Sequence, residues 1–296
     1  MHTQHTLRTS AFKQVDVFTS NPMYGNALAV IFDCEGLSTQ DMQRIASWTN
    51  LSETTFVLPP TSPDADYRVR IFTPRSELPF AGHPSVGTAH ALIESERIAV
   101  KSKLVQECAA GLLPVEVAGE GLEQRIFVRA PKATMRAAER DVTAELTKAL
   151  GAAPSLPPTI VNNGPDWLLV DLGSENVVRT LKPDMTAIAA LSEIAIGVAV
   201  FGRAKNADYA LAVRAFAPAD GVPEDPVTGS ANAAIGAFLL ANGALKAVGA
   251  NYRASQGREI GRDGYVDVRV EETTGEVWIG GQSVTCVDGL LALPHA

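Results

Sequence analysis

The stretch RIFTPRSELPFAGHPSVGTAHAL, residues 70–92, decides the fold because a variant of it returns as RAFAPADGVPEDPVTGSA, residues 214–231. Identical residues recur at one constant spacing: Arg70, Phe72, Pro74 and Pro79 match Arg214, Phe216, Pro218 and Pro223. After a slip of two residues, a second block recurs: Pro84, Gly87 and Ala89 match Pro226, Gly229 and Ala231. Such a repeat predicts two similar domains, each with a strand that leads through a loop into a helix.

The helix predicted after each loop consists largely of small residues, SVGTAHALIE in the first copy and TGSANAAIGAFLLANG in the second. A helix that is apolar on every face is typical of one buried on all sides. Each glycine costs about 1 kcal/mol of helix stability relative to alanine, so a high density of glycine needs another reason. We therefore expect close backbone packing, as in a helix wrapped by a curved sheet.

Strands and helices are predicted along the rest of the chain. Residues before Phe12 read as a loose leader, and the segment 39–50 has helical spacing. Its apolar positions are Met42, Ile45, Ala46 and Trp48. The Ala-rich segment 133–151 predicts another helix. The segment YVDVRVEETTGEVWIGG predicts a β-hairpin that turns at Thr274-Gly275. Because the composition changes near Pro131, we predict domains at 1–130 and 131–296, and the C-terminal strands either stay with the second domain or cross back to the first.

The composition excludes several classes of protein. An apolar share of 46% and a charged share of 20% are typical of a soluble globular protein. A net charge of −8 without a Lys/Arg run argues against a nucleic-acid partner. The three cysteines are widely spaced and form no CxxC pair, so no metal site is predicted. An odd number of widely spaced cysteines is typical of reduced thiols, which indicates the cytoplasm. The N-terminal sequence has no secretory pattern, and the longest apolar run, 194–201, is too short to span a membrane.

The starts of the two small-residue helices are candidate anion sites, because a helix N-terminus has unpaired N–H groups and the positive end of the helix dipole. His83 and Asp225 stand directly before the two repeated prolines. The alternative is purely structural: Ser85 and Thr228 cap the helices, and His83 and Asp225 are a core histidine and a turn residue.

Glu53, in NLSETTFV, is a third candidate. In an apolar cleft it suits a general acid/base. The alternative is a solvated residue at a strand end, or part of a cap with Ser52.

The chain resembles the phenazine-biosynthesis isomerase (PhzF-like) family. The resemblance lies in VDVFTSNPMYGNALAV, NLSETTFV, RIFTPRSELPFAGHPSVGTAHAL, EDPVTGSANAAIGAFL and QGREIGR, in this order. It implies an α+β fold of the diaminopimelate-epimerase kind, with two pseudo-symmetric domains, each a curved sheet around a central helix. It also implies an active site in the cleft between the domains, a homodimer, and no metal or organic cofactor.

The resemblance assigns roles to individual residues. Glu53 corresponds to the catalytic glutamate. His83 and Asp225 are assigned to the catalytic set with it: both position the substrate, and His83 is also a candidate proton donor. Ser230 corresponds to a residue that binds the substrate. Gly82 and Gly229 let backbone N–H groups approach it. Racemases of the same fold use two cysteines at the helix starts; here Cys34, Cys108 and Cys286 lie elsewhere in the sequence, which disfavours that mechanism.

The leading hypothesis is a cofactor-independent isomerase. It shifts a proton on a small unsaturated carboxylate, open-chain or cyclic, as in dihydro-hydroxyanthranilate isomerisation. The alternative is a non-catalytic protein that binds small carboxylates in the same cleft. A serine hydrolase built on Ser230 with His83 or His90 lacks a GxSxG elbow. Nucleotide binding is disfavoured because neither GxGxxG nor GxxxxGK[ST] occurs.

Overall fold

The structure is a computed structural model that describes residues 8–205 and 207–293. Over these residues the chain is a mixed α/β protein. Its α-helices are α1 (Thr39–Thr49), α2 (Gly82–Glu94), α3 (Thr143–Leu150), α4 (Glu175–Thr180), α5 (Met185–Ala189) and α6 (Gly229–Ala241). Its strands are β1 (Thr9–Val17), β2 (Asn26–Ile31), β3 (Glu53–Leu58), β4 (Tyr67–Phe72), β5 (Glu77–Leu78), β6 (Lys103–Cys108), β7 (Gly111–Ala118), β8 (Arg125–Arg129), β9 (Thr134–Ala137), β10 (Thr159–Asn162), β11 (Asp166–Ser174), β12 (Gly197–Arg203), β13 (Leu211–Ala217), β14 (Val222–Asp225), β15 (Asn251–Gln256), β16 (Gly264–Val270), β17 (Val277–Gly281) and β18 (Ser283–Ala292).

The chain divides into two compact units. Unit 1 comprises Met1–Val128 and Gln282–Ala296, and unit 2 comprises Arg129–Gly281. The last strand, β18, pairs antiparallel with β1 and therefore belongs to unit 1. The hairpin of β16 and β17 belongs to unit 2.

The strands of each unit pair in the same order. In unit 1, β1–β2 is antiparallel, β2–β3 parallel, β3–β4 antiparallel, β4–β6 parallel, and β6–β7 and β7–β8 antiparallel. In unit 2 the identical series runs from β10 to β17. The short strands β5 and β14 pair with β4 and β13. The two repeated sequence stretches therefore occupy the same place in each series, as β4–β5–α2 and β13–β14–α6.

The two small-residue helices are buried, as predicted. Helix α2 packs against β1, β2, β3 and β18, and α6 packs against β10, β11, β16 and β17. Nearly all residues of both helices are inaccessible to solvent. A Cβ added at Gly87 would lie 2.7 Å from both Leu28 Cδ2 and Val17 Cγ2, so the sheet approaches the helix closely there. At Gly236 the nearest atoms, all from valine side chains, would lie 3.2–3.3 Å away.

The space beside Gly87 is tighter than the space beside Gly236, and this difference gives a prediction. Gly87→Ala is expected to lower the free energy of unfolding by about 1–2 kcal/mol, because overpacking against the stiff Val17 outweighs the gain in helix propensity. Gly236→Ala is the matched control and is expected to change it by less than about 1 kcal/mol, because the valines need to yield only slightly. Urea unfolding of both variants measures the difference, and equal losses would contradict it.

Several local predictions need correction. Residues 9–11 are not a leader but the start of β1, which is held by β2 and β18; residues 1–7 of the predicted leader lie outside the described residues. Helix α1 is confirmed; of its apolar residues Met42, Ile45 and Ala46 are buried, whereas Trp48 is 72% exposed. The predicted helix at 133–151 is wrong in its first half, where Thr134–Ala137 pairs with β10 as a strand. The hairpin at 265–281 is confirmed.

Candidate active site

Glu53 and His83 meet inside unit 1. Glu53 is the first residue of β3 and lies opposite Leu28 of the parallel strand β2, while His83 is the second residue of α2. Glu53 Oε2 and His83 Nε2 are 3.1 Å apart, and the two side chains are only 15% and 7% exposed. Burial excludes the alternative of a solvated strand-end glutamate.

The contact between the two side chains leaves hydrogen-bonding capacity unused. Although 3.1 Å is within ion-pair distance, both Glu53 Oε2 and His83 Nε2 are buried atoms without a hydrogen bond of regular geometry to the described residues. Buried polar atoms in folded proteins are nearly always bonded to protein or water, so such atoms call for an explanation. A pair of this kind can receive a ligand or exchange a proton with one.

The start of α2 carries no side-chain cap. Its N-cap residue, Ala81, has no hydroxyl or carboxylate to offer to the first N–H groups. Ser85 is not a cap, because it lies inside the helix and its hydroxyl donates to the Ala81 carbonyl oxygen at 2.9 Å. The prediction that Ser85 caps α2 is therefore wrong. Pro84, the third helical residue, lies in the first turn, where no intrahelical N–H bond is lost.

A buried chain of hydrogen bonds from β6 and β4 supports the start of α2. Gln106 of β6 donates from Nε2 to Ser85 Oγ at 2.9 Å, and the Tyr67 hydroxyl donates to Gln106 Oε1 at 3.2 Å. Burial strongly raises the pKa of Tyr67, so this hydroxyl stays protonated and remains a donor. The first turn of α2, with Gly82 and His83, is thus supported by satisfied polar groups.

Asp225, Gly229 and Ser230 lie around the start of α6 in unit 2. Asp225 ends β14, and Gly229 and Ser230 are the first two residues of α6. Thr228, the N-cap residue, makes no side-chain cap bond; its hydroxyl donates to Asp225 Oδ2 at 2.5 Å. Gln256 Nε2 donates to the Asp225 carbonyl oxygen at 3.1 Å. The prediction of a Thr228 cap is therefore wrong, and its hydroxyl holds the Asp225 carboxylate instead.

The sequence match at the two prolines does not extend to local structure. Pro84 and His83 lie inside α2, whereas Pro226 and Asp225 precede α6. The residue of α6 that shares the helical position of His83 is Ser230. The structure thus brings Glu53, His83 and Gly82 together in unit 1, and Asp225, Gly229 and Ser230 together in unit 2.

Two residues that sequence reasoning missed hold Ser230. Trp167 Nε1 donates to Ser230 Oγ at 3.0 Å, and Asn163 Nδ2 donates to the Ser230 carbonyl oxygen at 2.8 Å. Both belong to the segment VNNGPDW, whose turn composition is its only local signal. No pattern in the sequence links this segment to a helix more than sixty residues later.

The thiols lie outside both sets of residues. Burial raises the pKa of Cys34 to about 12, and burial also raises the pKa values of Cys108 and Cys286. At neutral pH all three are protonated and are poor bases and nucleophiles. Among residues 8–205 and 207–293, no group of three or more His, Cys, Asp or Glu side chains is arranged to hold a metal ion. No helix within that part of the chain has the length and apolar character needed to cross a membrane.

Comparison with known proteins shows which family the chain resembles. A family model described as phenazine biosynthesis-like protein matches residues 15–289. Trans-2,3-dihydro-3-hydroxyanthranilate isomerase of Pseudomonas chlororaphis is 38% identical over 288 residues, which cover 94% of this chain and 98% of the relative. Antisense-enhancing sequence 1 of Schizosaccharomyces pombe is 37% identical over 291 residues, with coverage of 94% and 97%.

Solved structures of related proteins point to the same family as the sequence comparisons. A PhzF-family protein of Bacillus anthracis superposes with a TM-score of 0.83 at 28% identity, covering 96% of this chain and 99% of that one. A hydroxyproline epimerase of Agrobacterium vitis superposes with a TM-score of 0.69 at 15% identity, which shows a shared fold alone. Fold and relatives together define the class of protein as an isomerase. The chain belongs to the phenazine biosynthesis-like (PhzF) family, and the predicted resemblance is confirmed.

Proposed function

We propose that this isomerase moves a proton between carbons of a small unsaturated carboxylate, open-chain or cyclic, without a cofactor, and that Glu53 carries the proton. The observation that carries the proposal is the buried Glu53 Oε2 atom, which lacks a hydrogen bond to the described residues and lies 3.1 Å from His83 Nε2. The substrate class follows the names of the Pseudomonas relatives, trans-2,3-dihydro-3-hydroxyanthranilate isomerases.

The chemistry needs one group that is first a base and then an acid. The Glu53 carboxylate takes a proton from a carbon next to the unsaturation, and the electron pair of that C–H bond moves into the conjugated system. The protonated Glu53 then returns the proton to another carbon, so the substrate is isomerised without net gain or loss of atoms. His83 orients the carboxylate from 3.1 Å. The uncapped N–H groups at the start of α2 provide a place for the negative charge of the substrate.

Asp225, Gly229 and Ser230 bind the polar groups of the same substrate in this proposal. The family resemblance supports this role, as does the position of Ser230 in α6, which matches that of His83 in α2. We also propose the pseudo-symmetric domains, the interdomain cleft and the homodimer that the resemblance implies. The identical order of strand pairing within each unit supports the pseudo-symmetry.

Proton exchange in D2O tests the proposal. The protein is incubated with trans-2,3-dihydro-3-hydroxyanthranilate and with a panel of small cyclic and amino carboxylates, and each compound is followed by NMR. The expected result is an isomerised product, or deuterium at a single carbon of one compound. Calorimetric binding without exchange in any compound would instead favour the non-catalytic carboxylate-binding protein.

A further inference from the structure

Ser230 is held from two sides by residues of unit 2. The indole Nε1 of Trp167 lies 3.0 Å from Ser230 Oγ, and the Asn163 amide lies 2.8 Å from the Ser230 carbonyl oxygen. Trp167 is 5% exposed and Asn163 is 3% exposed, whereas Ser230 is half-buried. One bond fixes the hydroxyl and the other fixes the backbone that carries it.

The bond from Trp167 has a fixed polarity. An indole N–H can only donate, so Ser230 Oγ must be the acceptor and its own hydrogen must point elsewhere. Among the described residues, the Ser230 hydroxyl makes no other hydrogen bond. The hydrogen of the Ser230 hydroxyl is therefore available to an acceptor other than the described residues, such as a ligand. This arrangement suits a carboxylate or developing enolate oxygen, and it does not suit a serine activated as a nucleophile.

Trp167 cannot turn away from Ser230 easily. It lies in β11 directly opposite Gly197 of the parallel strand β12. A Cβ at Gly197 would lie 2.7 Å from Trp167 Cζ3 and 2.4 Å from the Phe216 carbonyl oxygen, so the indole occupies space that only glycine leaves free. A group locked by packing on a strand keeps its donor in one place, which is the condition for a preorganised site.

We propose that Trp167 and Asn163 are positioning residues that hold Ser230 as a hydrogen-bond donor to an anionic oxygen of the substrate. This rests on the proposed function, in which Ser230 binds that substrate. It adds the direction of the Ser230 hydrogen bond, two residues that set it, and a preference for ligands with an anionic oxygen over neutral acceptors. It also gives a reason for Gly197, whose missing side chain makes room for the indole.

The first test needs no substrate. The chain has three tryptophans, so an NMR spectrum of the 15N-labelled protein contains three indole N–H signals, and Trp167→Phe identifies the one from Trp167. Ser230→Ala is expected to shift that signal and to speed its exchange with solvent. The indole signals of Trp48 and Trp278 serve as internal controls and are expected to stay unchanged. An unmoved Trp167 signal would overturn the proposal.

The second test measures binding of 3-hydroxyanthranilate, an aromatic carboxylate analogue, and of its carboxamide. Trp167→Phe is expected to weaken carboxylate binding about tenfold, the effect of losing one directed hydrogen bond. In a Ser230→Ala background the same change is expected to have no further effect, because Trp167 acts through the hydroxyl. Trp278→Phe is the matched control, since Trp278 makes no side-chain hydrogen bond among the described residues.

The outcomes separate this proposal from the proposed function. Additive losses for Trp167→Phe and Ser230→Ala, or equal weakening of carboxylate and carboxamide, would overturn the positioning role while leaving isomerisation intact. Failure of the unmodified protein to bind any carboxylate would contradict the proposed substrate class. The indole signals would then still decide whether Trp167 directs the Ser230 hydroxyl.

Discussion

Glu53→Gln is expected to lower kcat by about 10²- to 10⁴-fold, the usual contribution of a positioned general acid/base, while the dissociation constant of the substrate changes by less than about tenfold. Glutamine keeps the shape of the side chain and its contact with His83, but it neither takes nor returns a proton at neutral pH. Because Glu53 is only 15% exposed, solvent cannot easily replace it as the proton carrier.

Turnover and calorimetric binding, measured on the same preparation, test this expectation. Glu35→Gln is the matched control, because Glu35 is an exposed glutamate of the same unit, and its replacement is expected to leave kcat unchanged. Full activity of Glu53→Gln would exclude the proton-carrier role. A loss of binding equal to the loss of turnover would make Glu53 a binding residue instead.

Arg214→Met is expected to lower the free energy of unfolding by about 3–5 kcal/mol, because it leaves a buried carboxylate without its partner. Arg214 makes a two-pronged bond to Glu224 at 2.9 and 2.8 Å, and its remaining nitrogen donates to the carbonyl oxygens of Leu181 and Val178 at 3.0 and 3.4 Å. The side chains of Arg214 and Glu224 are only 6% and 7% exposed.

The sequence repeat supplies a matched control for this prediction. Arg70, the counterpart of Arg214, makes the same two-pronged bond to Glu77, with both distances 2.7 Å, but these side chains are 27% and 31% exposed. Arg70→Met is expected to cost at most about 1 kcal/mol, as for a pair that water can reach. Urea unfolding measures both variants. Equal losses would show that burial does not decide the strength of these pairs.

A double variant separates the pair from its packing. Arg214→Met together with Glu224→Leu is expected to recover most of the lost stability, because two apolar side chains of similar volume need no charged partner. If the double variant is as unstable as Arg214→Met alone, the loss comes from the guanidinium bonds to Leu181 and Val178 rather than from the unpaired carboxylate.

Local pattern was enough for much of the fold. Alternating apolar residues predicted the hairpin at 265–281, and small residues on every face predicted the burial of α2 and α6. Residues 134–137 were predicted wrongly because Ala-rich composition favours a helix, whereas pairing with β10 along the sheet decides the outcome. Helical spacing of apolar residues predicted α1, but spacing did not show that Trp48 lies on the solvent side of that helix.

Short sequence motifs predict some residues of the candidate site, but residues that reach it through packing cannot be predicted in this way. Glu53 and His83 belong to short segments with strong motifs, and the structure brings them to 3.1 Å. Matching prolines suggested that His83 and Asp225 are counterparts, but a helix start is set by backbone geometry, and α6 begins three residues after Pro226. Trp167 reaches Ser230 only through the packing of β11, which no local pattern records.

The pairing of β18 with β1 bears on how the chain matures on the ribosome. Unit 2 is continuous in sequence, so all of its strands emerge before synthesis ends. In unit 1, β1 is synthesised before all of unit 2, and the edge that it shares with β18 stays unpaired until β18 follows unit 2. An unpaired strand edge invites pairing with other chains. The open edge of β1 is therefore a place where the growing chain can pair wrongly until β18 covers it.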